Sequence, residues 1–160
     1  MNTALKTATI LSWINLIIGG ILVLGGLISM LMTPNVMIML ISVVLTGSIV
    51  LHSYATLQLR KSILYPEIPL NPQTASGIRM VGFMALFFAM LNIGNAVVII
   101  QNAAEAIKQI ELPVMPKNFD LVKAVRIIGI ISLIFSIGIV INVILSFRLL
   151  RSYLLSKQDK

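Results

Sequence analysis

Four long stretches of this sequence contain no charged residue. They cover residues 8–32, 36–59, 80–100 and 127–147, and each is 21 to 25 residues long. An α-helix rises about 1.5 Å per residue, so each stretch is long enough to cross about 30 Å of hydrocarbon. Buried helices of soluble proteins seldom continue so far without a charge. The sequence therefore predicts an all-α integral membrane protein, an antiparallel up-down-up-down bundle of four transmembrane helices.

The composition supports the same fold class. Only 11% of the residues are charged and 58% are hydrophobic, whereas soluble domains carry about 25% charge. The four stretches and their connections, 60–79 and 101–126, use nearly the whole chain, which predicts one membrane domain over 1–160. The first stretch exceeds the 7–15 residues of a signal-peptide core and lacks an A-x-A-like cleavage site, so we expect it to be retained.

Basic residues are distributed unequally about these spans. Eight lie in the terminal segments and the connection 60–79, against four in the connection 101–126. The positive-inside rule then predicts that both termini are cytoplasmic and that 101–126 is external. Short tails without added domains are typical of small bacterial membrane proteins, which predicts the bacterial cytoplasmic membrane.

The net charge of +7 does not indicate a nucleic-acid partner. The basic residues flank hydrophobic spans and do not form a separate basic face. Arg60, Lys61, Arg148 and Arg151 could bind phosphoinositide or other anionic lipid headgroups, but a solvated topology signal is the favoured interpretation of these residues.

Prolines and asparagines predict how the helices begin and end. The short segment 33–35 predicts a tight hairpin between the first two spans. The second helix should continue past the membrane until Pro66, and Asn71-Pro72 should start the third as an N-cap followed by proline. Residues 102–112 can extend the third helix, until Pro113 ends it.

Small residues recur at three- and four-residue spacing along the spans. Helices in lipid associate through such residues, because they let backbones approach closely. These candidate packing seams contain Gly19 and Gly26 in the first span, Gly82, Ala85 and Ala89 in the third, and Gly129, Ser132 and Ser136 in the fourth. They predict packing inside the bundle, contact with another protomer, or both.

Five polar side chains lie inside the apolar runs and are candidate functional residues. His52, Asn15 and Asn142 lie at comparable depth, so they form one polar layer if all three face inward. Asn92 and Asn95 lie near the middle of the third span. An intramembrane ionisable residue such as His52 suggests a proton- or ligand-responsive site. Hydrogen bonding between helices, worth about 1 kcal/mol per group, is the structural interpretation and is favoured.

Enzymatic activity is not predicted. The sequence has no cysteine, and it shows no glycine-rich phosphate loop, metal-ligand spacing or Ser-His-Asp set, so neither a metal nor a cofactor is expected. Ser48 and His52 lie four residues apart, but intramembrane serine proteases take their base from a different helix. Coupled transporters such as small multidrug-resistance proteins rely on an intramembrane glutamate, whereas every Asp and Glu here lies in a connection or tail.

These observations predict a small non-enzymatic scaffold or accessory subunit in the lipid bilayer. It would associate through its small-residue seams, either with a second copy or with a larger membrane protein. The alternative is a small channel or carrier, in which Asn92, Asn95 and His52 lie along a polar path.

Overall fold

The computed structural model describes residues 2–32, 36–108 and 120–158, without the side chains of 2, 29–32, 36–42 and 158. All regular structure in these ranges is α-helical. The helices are α1 (Asn2–Met32), α2 (Val36–Leu64), α3 (Pro72–Gln101), α4 (Ala103–Lys108) and α5 (Leu121–Gln158). The predicted hairpin turn at 33–35 lies outside the described residues, as do residues 109–119.

Three of the described helices are long and apolar enough to cross a membrane. They are Thr3–Ile28 in α1, Pro72–Gln101 in α3 and Leu121–Lys157 in α5. Helix α2, which contains the second predicted span, is not one of the three. The side chains at its start, residues 36–42, are not among those that the structure describes. The predictions of an all-helical fold and of helices long and apolar enough to span a membrane are therefore confirmed.

Capping side chains define the starts of two long helices. The backbone N–H of Gln73 donates to Oδ1 of Asn71 at 2.9 Å, so Asn71 caps α3 as predicted. Asp120 caps α5 in the same manner, since its Oδ1 accepts from the backbone N–H of Lys123 at 3.0 Å. On the N-terminal side of the connection to α3, α2 stops at Leu64, two residues before Pro66.

The predicted continuation of the third helix through residues 102–112 is wrong at its first residue. Helix α3 ends at Gln101, and the separate helix α4 starts at Ala103. The carbonyl of Asn102 accepts from the backbone N–H groups of Glu105 and Ala106, both at 3.0 Å. Asn102 is thus the residue immediately before a new helix, a position that asparagine favours over a helix interior.

The described residues pack into two compact units. The first comprises 1–88 and 138–160, which brings together α1, α2, the first part of α3 and the last part of α5. The second comprises 89–137, namely the remaining parts of α3 and α5 together with α4.

The first unit has an apolar cluster near the chain termini. Its buried members are Leu5, Ala8, Leu59, Ile78, Leu149 and Leu150. Many large apolar side chains elsewhere point outward, including Met80 at 73% exposure and Ile134 at 65%. Apolar side chains on the outside are stable in contact with lipid tails, which are as apolar as leucine.

Candidate functional site

Buried polar side chains form a layer inside the first unit. Each is at most 3% exposed. The layer contains Ser12 and Asn15 from α1, His52, Ser53 and Thr56 from α2, and Asn142 and Ser146 from α5. The three residues predicted to share a layer, Asn15, His52 and Asn142, are therefore all buried in this unit. The layer also contains four hydroxyl residues that were not predicted to belong to it, each one, three or four positions from one of these three. Spacings of three and four place side chains on the same face of a helix, and this is the sequence pattern that could have identified them.

Hydroxyl groups connect the layer across helices. Ser12 Oγ donates to Asn142 Oδ1 at 3.2 Å, which joins α1 to α5. The hydroxyls of Thr56 and Ser146 lie 2.9 Å apart and join α2 to α5. Thr56 also reaches the carbonyl of His52 at 2.9 Å, and Ser146 that of Asn142 at 2.7 Å. Thr56 and Ser146 have one hydroxyl proton each. Only two of the three contacts Thr56–Ser146, Thr56–His52 and Ser146–Asn142 are therefore hydrogen bonds at any moment.

Several buried atoms of the layer have no partner among the described residues. They are Asn15 Oδ1, both ring nitrogens of His52, Ser53 Oγ and Asn142 Nδ2. Buried polar groups are nearly always hydrogen-bonded, and leaving one unsatisfied costs about 1–3 kcal/mol. The layer therefore combines interhelical hydrogen bonds with buried polar atoms that make none.

The imidazole of His52 is enclosed by aromatic and backbone atoms. Its ring meets that of Phe147 edge-on, with centroids 6.3 Å apart and an interplanar angle of 81°. Gly82 lies against both rings, because a Cβ there would stand 3.1 Å from His52 Cε1 and 2.7 Å from Phe147 Cε1. Ser48 does not bond to the imidazole, since its hydroxyl donates to the Leu45 carbonyl at 2.6 Å. In the described residues no group of three His, Cys, Asp or Glu side chains could hold a metal ion.

A smaller polar cluster lies in the second unit, around Asn92. Its Nδ2 donates to Ser132 Oγ at 2.9 Å and to Ser136 Oγ at 2.6 Å, and so joins α3 to α5. Ser136 in turn donates to the carbonyl of Ser132 at 2.8 Å. Both donor protons of the Asn92 amide are thus used by the neighbouring helix.

Asn95 differs from the other four candidate polar residues, because it is exposed. Among the amide and imidazole groups that the structure describes within these runs, Asn95 alone is exposed. It makes no hydrogen bond to any described residue. Its neighbour Gly94 is also exposed, and a Cβ on Gly94 would meet no atom within 4 Å. The spacing in the sequence placed Asn92 and Asn95 together, whereas the structure gives them different surroundings.

The predicted packing seams contact the chain's own helices. A Cβ on Gly19 would be 3.1 Å from Val50, and one on Gly26 would be 3.3 Å from Val43, both on α2. In the second unit, a Cβ on Gly129 would be 2.9 Å from Ile100 on α3. Ala85 and Ala89 are fully buried, Gly82 packs against Phe147, and Ser132 and Ser136 bond to Asn92. In the structure these residues therefore pack within the chain, and contact of the seams with another protomer stays a prediction.

The long apolar helices with outward apolar side chains define a class, that of multi-pass helical membrane proteins. No family model, curated protein or solved structure matches the chain.

Proposed function

We propose that this chain is a non-enzymatic structural subunit of the membrane that self-associates through the lipid-facing side of α3 around Asn95. The observation that carries the proposal is the exposure of this one amide within an apolar run, while the other described amides there are buried or half-buried. We call the exposed residues Leu91, Gly94, Asn95 and Val98 the α3 face; they lie three or four positions apart along one side of the helix.

The position of Asn95 makes contact with lipid unfavourable. It lies five residues before Ile100, which places it about 7 Å inside the end of the apolar run. Lipid tails offer no hydrogen-bonding partner, so an amide in this position favours contact with another polar group.

A second copy of the chain supplies a suitable partner group. The asparagine amide both donates and accepts hydrogen bonds, so two such groups related by twofold symmetry can pair with each other. Gly94 precedes Asn95 and has open space around it, which allows the backbone of a partner helix to approach. The small-residue seams are less suited to this role, because the chain's own helices already contact them.

The same proposal includes four membrane spans in an antiparallel bundle, with both termini cytoplasmic. The uncharged run 36–59 supports a fourth span in α2, which is 29 residues long and packs against α1 through Gly19 and Gly26. The twofold excess of basic residues in the termini and the connection 60–79 supports the orientation, in a bacterial cytoplasmic membrane.

Subunit counting in lipid vesicles tests the proposal. The protein is fused to a fluorescent protein at its C-terminus and reconstituted at low density, and photobleaching steps are counted for each spot. We expect multiple steps for the wild type and for Asn95→Gln, which keeps an amide, and mainly single steps for Asn95→Leu. Single steps for the wild type, or equal step numbers in all three proteins, would contradict self-association through the α3 face.

The channel or carrier predicted as the alternative from the sequence remains a prediction. A path lined by Asn92 would compete with the bonds that its amide donates to Ser132 and Ser136. Ion or solute flux through vesicles containing the wild type, abolished by Asn95→Leu, would favour this alternative over a purely structural subunit.

A further inference from the structure

A groove between α3 and α5 in the first unit has two arginines at its mouth and aromatic rings below them. Its volume is about 390 Å³, and it is lined by Arg79, Phe83, Phe147, Leu150 and Arg151. We propose that this groove binds one phospholipid with an anionic headgroup. This site does not depend on the self-association proposed above, which uses residues of the second unit.

The charges in the groove favour a phosphate group. Arg79 comes from α3 and Arg151 from α5, both are exposed, and no acidic residue lines the groove. No ion pair involving either arginine occurs within the described part of the chain. Guanidinium groups bind phosphate oxygens through two parallel hydrogen bonds, and two of them on different helices can hold one headgroup between them.

The order of residues along the helices matches the layers of a lipid. Arg79 immediately precedes the apolar run 80–100, and Arg151 lies one turn beyond the end of the run 127–147. Both arginines are therefore at the level of the headgroups. Phe83 lies one turn deeper than Arg79, and its ring meets that of Phe147 at a centroid distance of 5.5 Å. Phe83 is 65% exposed, so this aromatic pair presents an apolar surface to an acyl chain.

A neighbouring groove adds positive charge on the same side. It has a volume of about 380 Å³, shares Arg79 with the first groove, and is also lined by Lys157. Lys157 lies over the ring of Tyr153 at 5.4 Å from the ring centroid, and Tyr153 accepts a hydrogen bond from the Leu70 backbone at 3.0 Å. Arg79 thus lines both grooves, with Arg151 in one and Lys157 in the other, so a headgroup bound by Arg79 has further basic side chains in adjoining grooves.

Native mass spectrometry of the full chain in mild detergent tests the proposal. The protein is titrated with dioleoyl phosphatidylglycerol and, separately, with dioleoyl phosphatidylcholine, which has the same acyl chains and no net charge. We expect the first phosphatidylglycerol to bind about tenfold more tightly than phosphatidylcholine. Arg79→Gln/Arg151→Gln should abolish this preference.

The matched control is Arg60→Gln/Arg148→Gln. It removes the same charge from exposed residues near the same boundary that do not line the groove, and we expect it to keep the preference. Equal loss in both double variants would overturn the proposal, because the effect would then come from general positive charge. Retention of the preference in Arg79→Gln/Arg151→Gln would overturn it as well. The helical circular dichroism of all variants is compared with that of the wild type.

Two further arms test the type of ligand. Phe83→Ala should weaken binding of both lipids without changing the preference for phosphatidylglycerol, since it removes only apolar contact. Unchanged binding would contradict the aromatic part of the site. Glycerol 1-phosphate, which has the charged group and no acyl chain, should not displace the lipid at millimolar concentration. Displacement would identify a site for soluble phosphates and contradict a lipid site.

Discussion

Gly82 of α3 lies directly against the ring of Phe147 on α5: a methyl group on Gly82 would be 2.7 Å from Cε1 and 2.9 Å from Cζ of that ring. The rings of His52 and Phe83 also lie beside it. The same methyl group would also be 3.1 Å from His52 Cε1, so the approach of α3 to α5 in the first unit depends on the absence of a side chain at residue 82.

Gly82→Ala is expected to destabilise the protein by about 1–3 kcal/mol, the usual cost of inserting a methyl group into a packed core. The control is Gly77→Ala on the same helix, where a Cβ would meet no atom within 4 Å. This control should be neutral or slightly stabilising. Unfolding in mixed detergent micelles, followed by circular dichroism, measures both. Equal stability of the two variants would contradict the packing described for Gly82.

Gly129→Ala tests close packing in the second unit. Its Cβ would be 2.9 Å from Ile100 Cγ1 and 3.2 Å from Ile99 Cγ2. These are side-chain atoms that can shift, so we expect a smaller loss, of about 1 kcal/mol. Gly138→Ala on the same helix is the control, since its Cβ would make an ordinary contact at 3.8 Å with Leu11. A loss of stability in Gly138→Ala that equals the loss in Gly129→Ala would point to a general effect of alanine.

The bonds of Asn92 can be measured by a double-mutant cycle with Ser136. The amide and the hydroxyl lie 2.6 Å apart. We expect Asn92→Ala and Ser136→Ala each to destabilise the protein and to show a coupling energy of about 0.6 kcal/mol, the average for hydrogen bonds between membrane helices. Asn95→Ala, which removes an amide with no described partner, should leave the unfolding free energy of the monomer nearly unchanged. Additive effects of the first two substitutions would contradict a direct bond.

His52→Leu tests whether the imidazole stabilises the fold. Neither ring nitrogen has a partner within strict hydrogen-bond geometry, although the Ile78 backbone interacts with the imidazole, so replacing the ring with an apolar side chain removes a buried polar group at the cost of that contact. The loss of the edge contact with Phe147 offsets part of this gain. We expect the stability to be unchanged or to rise by up to about 1 kcal/mol.

Thr56→Val, one turn further along α2, is the comparison for His52→Leu. Its hydroxyl contacts both Ser146 and the His52 carbonyl, so its removal should lower the stability by about 0.5–1 kcal/mol. Destabilisation by His52→Leu beyond that of Thr56→Val would show that the imidazole makes a stabilising interaction.

The helices could be predicted from the sequence because their determinants are local. Uncharged runs marked the long helices, Pro66 marked the end of α2, and Asn71 marked the start of α3. The break at Asn102 was missed, because the pattern around it fits one continuous helix equally well. The chain bends at Asn102, although its backbone still makes the bonds of a continuous helix, to Val98 and from Ala106.

The surroundings of individual polar side chains could be predicted less well. Residues three apart on a helix differ by about 60° in direction, which is enough for Asn92 to face α5 while Asn95 points outward. Which of the two faces inward depends on the rotation of α3 about its axis. That rotation is set by contacts such as those of Gly129 with Ile99 and Ile100, between residues distant in sequence.

Cysteine cross-linking in membranes tests the proposed self-association most directly. The native chain has no cysteine, so any disulfide reports an introduced residue. Cysteine is introduced at one of two positions. Leu91 lies on the α3 face and is 48% exposed, and Ile134 lies on α5 and is 65% exposed. Their levels are comparable, because Asn92 bonds to Ser132 and Ser136 on either side of residue 134.

We expect oxidation to give a covalent dimer with Leu91→Cys and not with Ile134→Cys, and Asn95→Leu added to Leu91→Cys should abolish the dimer. Dimers from both cysteines in similar amount, from Ile134→Cys alone, or from neither would contradict the α3 face as the contact between copies.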